Sequence, residues 1–140
     1  MGRDPRGPLS LFIALGENSP VPINKRYAEM APQEQNGLKS QYEKMGPNDE
    51  PPFPVNGLAN LYKTMIKGAE KFQVEGQLIL FVDIDAQGKA TSVSVVRSPD
   101  PEMTQFAAGI LIFERYKPAV CDGTPCKMQF PFRINFTRRL

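Results

Sequence analysis

Glu75-Gly76-Gln77-Leu78-Ile79-Leu80-Phe81-Val82-Asp83-Ile84-Asp85, the turn Ala86-Gln87-Gly88-Lys89, and the return Ala90-Thr91-Ser92-Val93-Ser94-Val95-Val96-Arg97-Ser98 decide the fold. Two runs rich in apolar and β-branched residues flank a short polar turn with glycine late in it, the pattern of a β-hairpin. Asp100-Pro101-Glu102 then reads as a helix start, because Asp caps free amide donors and proline at the first helical position has no amide to leave unpaired. That helix is expected to run to about Tyr116. Beyond it, Lys127 to Phe136 alternates, with Met128, Phe130, Phe132, Ile134 and Phe136 on one side and Lys127, Gln129, Pro131, Arg133 and Asn135 on the other. Strict alternation of this kind predicts a strand with one buried face.

Upstream of the hairpin, Leu58, Leu61, Tyr62, Met65, Ile66, Ala69 and Phe72 recur at three- and four-residue spacing from Asn56 onward, with Lys63, Lys67, Glu70 and Lys71 outside that stripe. An amphipathic helix packed on the sheet follows. In the second helix Met103, Phe106, Ala107 and Ile110 repeat the spacing, and the dense run from Ile110 to Phe113 predicts cover on more than one face. The expected fold class is α+β: a three-stranded antiparallel sheet packed against two helices.

Nine of the 14 prolines fall in residues 1–54, which separates a loop-rich first third from the rest. Residues 1–50 are expected to form an irregular N-terminal arm with one or two short helices, and residues 51–137 the domain proper. Losing the arm is expected to cost little. Within Pro51-Pro52-Phe53-Pro54 each residue before a proline is pushed out of the helical region, so this segment is extended.

The order strand, strand, helix, strand, with Glu75-Gly76, Asp85 to Gly88, Ser98, Tyr116-Lys117-Pro118-Ala119, Gly123-Thr124-Pro125 and the terminal Phe132 to Phe136, resembles the C-terminal domain of TonB. Pro52-Phe53-Pro54 sits where that family often carries Tyr-Pro before its first helix, so the resemblance covers roughly residues 51–136. It implies a periplasmic energy transducer that couples an inner-membrane motor to ligand-gated outer-membrane transporters. It also implies that a short N-terminal segment of a TonB-dependent outer-membrane receptor is captured beside the last strand. Phe53 replaces the usual Tyr, the segment between Pro54 and Glu75 is longer than is common, and no Lys-Pro and Glu-Pro spacer is visible. A soluble periplasmic adaptor or protein-interaction domain of the same fold, without energy transduction, is the first alternative, and an enzyme or ligand carrier, favoured only if a deep pocket gathers Asp83, Asp85 and Arg133, is the second.

The residues support the edge reading independently. Pro131 removes one backbone donor from the middle of the final strand, which is tolerated chiefly at a sheet edge or bulge. An edge strand offers unpaired backbone groups to a second extended chain. The opposing view is that Pro131 protects that edge. With the resemblance, partner contact is assigned to Phe53, Pro54, Lys127, Gln129, Pro131, Arg133 and Asn135. An edge strand also offers pairing to a second copy of the chain.

Composition restricts the remaining classes. The net charge of +2, from 17 basic and 15 acidic residues, gives no electrostatic reason to expect nucleic acid. No apolar stretch approaches the roughly 20 residues that span a bilayer. The start Met1-Gly2-Arg3, with Pro5 close behind, reads as a replaced natural N-terminus, in which case a signal sequence and an inner-membrane anchor contacting the motor proteins would be missing from these residues.

The sequence contains no histidine, the commonest general base near neutral pH, so an enzymatic reading starts weak, and the resemblance implies no enzymatic activity and no cofactor. Asp83 and Asp85 share a strand face and could pair for acid–base work or hold a hard cation, but as solvent-facing residues leading into the turn they need neither. No serine lies in a nucleophile-elbow pattern. Cys121 and Cys126 flank a turn at a spacing that fits neither a redox Cys-x-x-Cys motif nor a zinc site, leaving a small structural disulfide or two reduced thiols. The disulfide is the expectation, and it accords with an oxidising compartment such as the periplasm.

Overall fold

A computed structural model describes residues 24–137 of the chain. The hairpin forms where the sequence places it, as β2 (Gly76–Ile84) and β3 (Ala90–Arg97). Asp85 shapes its turn: the side chain accepts hydrogen bonds from the amides of Gln87 and Lys89, both at 2.9 Å. Gly88, at φ +86°, lies so close to the next element that a Cβ there would sit 2.1 Å from the Tyr116 carbonyl oxygen. Only glycine satisfies both the left-handed backbone and that approach.

The final strand, β7 (Met128–Phe136), pairs antiparallel with β2 in unbroken register from Gly76–Phe136 to Ile84–Met128. The sheet order is therefore β3–β2–β7, an α+β arrangement with the hairpin's first strand in the centre. Alternation then dictates the layers. Leu78, Leu80, Val82 and Ile84 from β2 and Phe130 and Phe132 from β7 are fully buried on one face.

Two helices cover that face. The first, α2 (Ala59–Phe72), begins later than Asn56, because Pro54 to Gly57 closes a turn in which the Gly57 amide donates to the Pro54 carbonyl at 3.1 Å. It ends at Gln73, whose left-handed backbone (φ 56°) turns the chain toward β2. Leu61, Tyr62, Met65 and Ala69 face the core, but Ile66 of the expected stripe is 46% exposed. The second, α3 (Pro101–Phe113), starts as read from the sequence, with the Asp100 carboxylate accepting the Met103 amide at 2.8 Å. It stops short of Tyr116, because Glu114 is extended and Tyr116–Lys117 forms a strand, β4, paired with β1 (Phe53–Pro54). Phe113 is 88% exposed, so the dense apolar run is not covered on every face.

Between β4 and β7 lies a small hairpin, β5 (Ala119–Cys121) and β6 (Thr124–Cys126). Asp122 and Gly123 both adopt positive φ, 50° and 85°, which a tight hairpin turn requires. Cys121 and Cys126 are joined by a disulfide across it, with Cα atoms 5.8 Å apart.

Residues 24–50 contain a single 3-10 turn at Tyr27–Glu29 and one helix, α1 (Pro32–Lys39). This segment is docked. Tyr27, Met30 and Leu38 are buried in the same cluster as the sheet and the long helices, while Tyr42 packs with Ala119 and Met128 beside the disulfide. Glu50 and Val120 exchange backbone hydrogen bonds of 2.8 and 2.9 Å, and the Asp49 carboxylate accepts the Asp122 amide at 2.9 Å. Lys117 pairs with Glu50 at 3.3 Å and lies 4.7 Å from the centre of the Tyr27 ring. Burial pulls its ammonium below the usual lysine range, an effect that Glu50 partly opposes. Removing the arm therefore exposes core, contrary to the small cost expected from its irregular sequence.

The division at residue 51 remains a proposal about folding units. Residues 51–137 hold both long helices and the whole sheet, so that fragment is expected to unfold cooperatively in urea, at lower stability than the full chain by at least about 2 kcal/mol. A non-cooperative transition would refute the boundary. Phe132 is fully buried, with its ring centre 5.5 Å from that of Tyr62. Phe132→Ala is expected to cost about 3–5 kcal/mol in the same measurement, and a loss under about 1 kcal/mol would contradict the face assignment.

Candidate functional site

In an antiparallel strand the amide and carbonyl of one residue point to the same neighbour, and successive residues alternate. The Tyr42 hydroxyl donates to the Gln129 carbonyl at 2.8 Å and the Tyr62 hydroxyl to the Arg133 carbonyl at 3.3 Å. Neither donor belongs to β2. The odd-numbered residues of β7 therefore turn their backbone groups away from the sheet, and the even-numbered ones form the ladder with β2. Pro131 falls in the outward set, so its missing amide removes no ladder bond. The β7 edge is in this way compatible with proline and is the outer strand of the described sheet.

The residues assigned to partner contact divide into three groups. Lys127 and Asn135 are exposed. Gln129 is half-buried and donates through Nε2 to the Asp83 carboxylate at 2.9 Å, while Pro131 and Arg133 are buried. Burial lowers the pKa of the Arg133 guanidinium, and the nearby Tyr42 and Tyr62 oppose that shift. Phe53 and Pro54 are also buried. The Phe53 ring meets Phe130 edge-on at 6.0 Å, and Pro54 pairs with Tyr116. Both belong to the packing beneath β1 and β4 rather than to an accessible surface in this conformation.

Sequence reasoning missed the tyrosine caps. Tyr62 was assigned to a core stripe, yet a buried tyrosine hydroxyl needs a hydrogen-bond partner, and that demand was the available signal. Tyr42 lies in a segment without periodicity and gave none. A second missed feature is a groove of about 690 Å³ between α2 and the end of β7, lined by Ile66, Ala69, Glu70, Gln73, Val74 and Ile134 to Thr137. Its signal was Ile66, an apolar residue on the boundary of the α2 stripe.

Asp83 and Asp85 serve local structure: Asp83 accepts from Ser92 and Gln129, and Asp85 holds the hairpin turn. Among the described residues no cluster of three or more His, Cys, Asp or Glu side chains could hold a metal ion.

All four tyrosines of the chain are buried. Burial pushes the Tyr42, Tyr62 and Tyr116 hydroxyls far above the ordinary phenol range, and burial with Glu50 nearby raises Tyr27 to about 12. A folded-state pKa above the unfolded value gives stability that is complete below about pH 10 and is lost as pH rises. Alkaline titration is therefore expected to show tyrosinate absorbance appearing together with loss of helical circular dichroism. Ionisation of all four rings at their ordinary pKa with the fold intact would contradict their burial.

Among the described residues no helix is long and apolar enough to cross a membrane. Compared with known proteins, residues 67–137, just over half of the chain, match the family model described as Gram-negative bacterial TonB protein C-terminal. The match runs from the middle of α2 through β7 and so contains the whole sheet, α3 and the disulfide hairpin. No curated protein and no solved structure matched the chain. The β3–β2–β7 sheet, its two covering helices and this family match together identify the chain as a member of the TonB C-terminal family, a transport-related domain of the cell envelope.

Proposed function

We propose that this chain is a periplasmic, non-enzymatic gripping domain that captures the N-terminal segment of a TonB-dependent outer-membrane receptor by strand addition. In this reading it transmits pull from inner-membrane motor proteins through an anchor attached upstream, and it needs no cofactor. The observation that carries the proposal is the outward edge of β7, in a domain of this family, with its odd-numbered backbone groups facing away from β2. A strand added there is held by main-chain hydrogen bonds, which tolerate varied side chains and therefore suit a partner recognised by extended backbone. Pull along such a strand shears its hydrogen bonds together rather than peeling them singly, which suits a mechanical coupling. The lack of histidine in the sequence supports the non-enzymatic part.

A second reading is favoured by the opposite edge. There β3 is the other outer strand of the described sheet, and an outer strand suits edge pairing with a second copy of the chain.

The test is a titration of the isotope-labelled chain with synthetic peptides covering the N-terminal segments of the TonB-dependent receptors encoded in the same genome. Amide shifts are expected to concentrate between Lys127 and Thr137. Shifts confined to β3, or no shift with any peptide, would overturn receptor capture at β7. Concentration-dependent shifts of β3 without peptide would establish self-pairing instead. Binding without any transport defect when the β7 edge is disrupted in cells would favour the adaptor reading over energy transduction.

A further inference from the structure

The outward edge of β7 is not uniform. Its first part is already occupied: Tyr42 caps the Gln129 carbonyl, Pro131 has no amide to offer, and Tyr62 caps the Arg133 carbonyl. Each cap takes one lone pair and the outward approach of an acceptor that an added strand would use. The arm places Tyr42 there, because Tyr42 is packed against Ala119, Met128 and the disulfide hairpin and is buried. Helix α2 supplies Tyr62 from its core-facing stripe.

The remaining part is different. By the same alternation Asn135 turns both amide and carbonyl outward, its side chain is exposed, and among the described residues no hydrogen bond caps it. Here the edge does not end in open solvent but forms one wall of the groove, with Ile66, Ala69 and Val74 facing it from α2 and the loop beyond, and Glu70 at its side. A volume of about 690 Å³ lies within the range of sites that hold a ligand and accommodates more than one side chain. Backbone donors and acceptors on one wall and apolar side chains on the other fit an extended peptide, whose alternate side chains project perpendicular to its hydrogen bonds.

The geometry points to a divided edge: the captured segment pairs at Asn135, C-terminal to the tyrosine caps, and inserts an apolar side chain against Ile66, Ala69 and Val74, while residues 129–133 stay closed to it. The inference rests on the receptor-capture reading and narrows it to one register. The partner it selects is an extended segment whose backbone meets Asn135 and whose apolar side chain lies on the α2 side. The two tyrosines act as register determinants and do not contact the segment.

Three substitutions test it with the same receptor peptides on the full chain, each variant first checked by thermal melt. Asn135→Pro deletes an outward amide at the open part and is expected to weaken Kd by at least about tenfold. Gln129→Pro deletes an outward amide in the closed part and is expected to weaken Kd several-fold less than Asn135→Pro does. Ile66→Glu, at a half-exposed position outside the buried core, is expected to weaken binding several-fold and serves if Asn135→Pro frays the strand. Weakening by Gln129→Pro equal to or larger than that by the other two would overturn the divided edge while leaving receptor capture intact. Unchanged binding in both Asn135→Pro and Ile66→Glu would do the same. If the unaltered chain binds none of the peptides, the capture reading itself has failed, and the register with it.

Discussion

The antiparallel ladder between β2 and β7 is the constraint on which the other features depend. Its nine pairs run without a register shift, so one parity of β7 is committed to the sheet and the other is released to the edge. A one-residue slip would reverse both assignments at once, placing Phe130 and Phe132 on the open face and turning Pro131 into the ladder, where its missing donor would break a bond. Hydrophobic pattern and proline position thus enforce the same register. From that register follow the buried face under α2 and α3, the tolerance of Pro131, and the direction in which Gln129, Arg133 and Asn135 present their backbone.

Around this ladder the chain closes itself with short connections rather than long ones. Gly88 allows the β2–β3 turn to touch the Tyr116 carbonyl, and β4 in turn holds β1, which carries Phe53 into the core beside Phe130. The β5–β6 hairpin, clamped by Cys121 and Cys126, anchors the arm through Glu50 and Asp49 and so delivers Tyr42 to the edge. Structural elements far apart in sequence therefore bear on the same few backbone groups of β7. A domain that grips by its edge would gain from such support, because any yielding of β7 under load would release the partner before the hydrogen bonds were broken.

The sheet and both long helices were legible because their signals are periodic: alternation over β7, a three-and-four spacing over α2, and Asp100-Pro101 at the head of α3. The extended Pro-Phe-Pro segment and the bridging of the cysteines were legible for local reasons, the steric effect of proline and the short turn between the thiols. The arm was not. Tyr27, Met30, Leu38 and Tyr42 reach the core one at a time from irregular backbone, so no period announces them, and composition alone made that segment look dispensable. The end of α3 was overestimated because Arg115 and Tyr116 look compatible with a helix, yet long-range pairing with Val55 and Pro54 draws them into a strand. At the edge, the position and proline of β7 were readable, but Phe53 and Pro54 were placed at a surface by analogy, whereas packing against Phe130 and pairing with Tyr116 hold them inside. The hydroxyl caps depend on tertiary placement and have no sequence pattern of their own.

Amide hydrogen exchange along β7 in the free protein tests the parity of this strand most directly. The account requires slow exchange at Phe130, Phe132 and Ile134, whose amides face β2, and fast exchange at Gln129 and Asn135, whose amides face outward. Equal protection at Ile134 and Asn135, or protection on the odd residues in place of the even ones, would contradict the register and, with it, the edge on which the proposed capture depends.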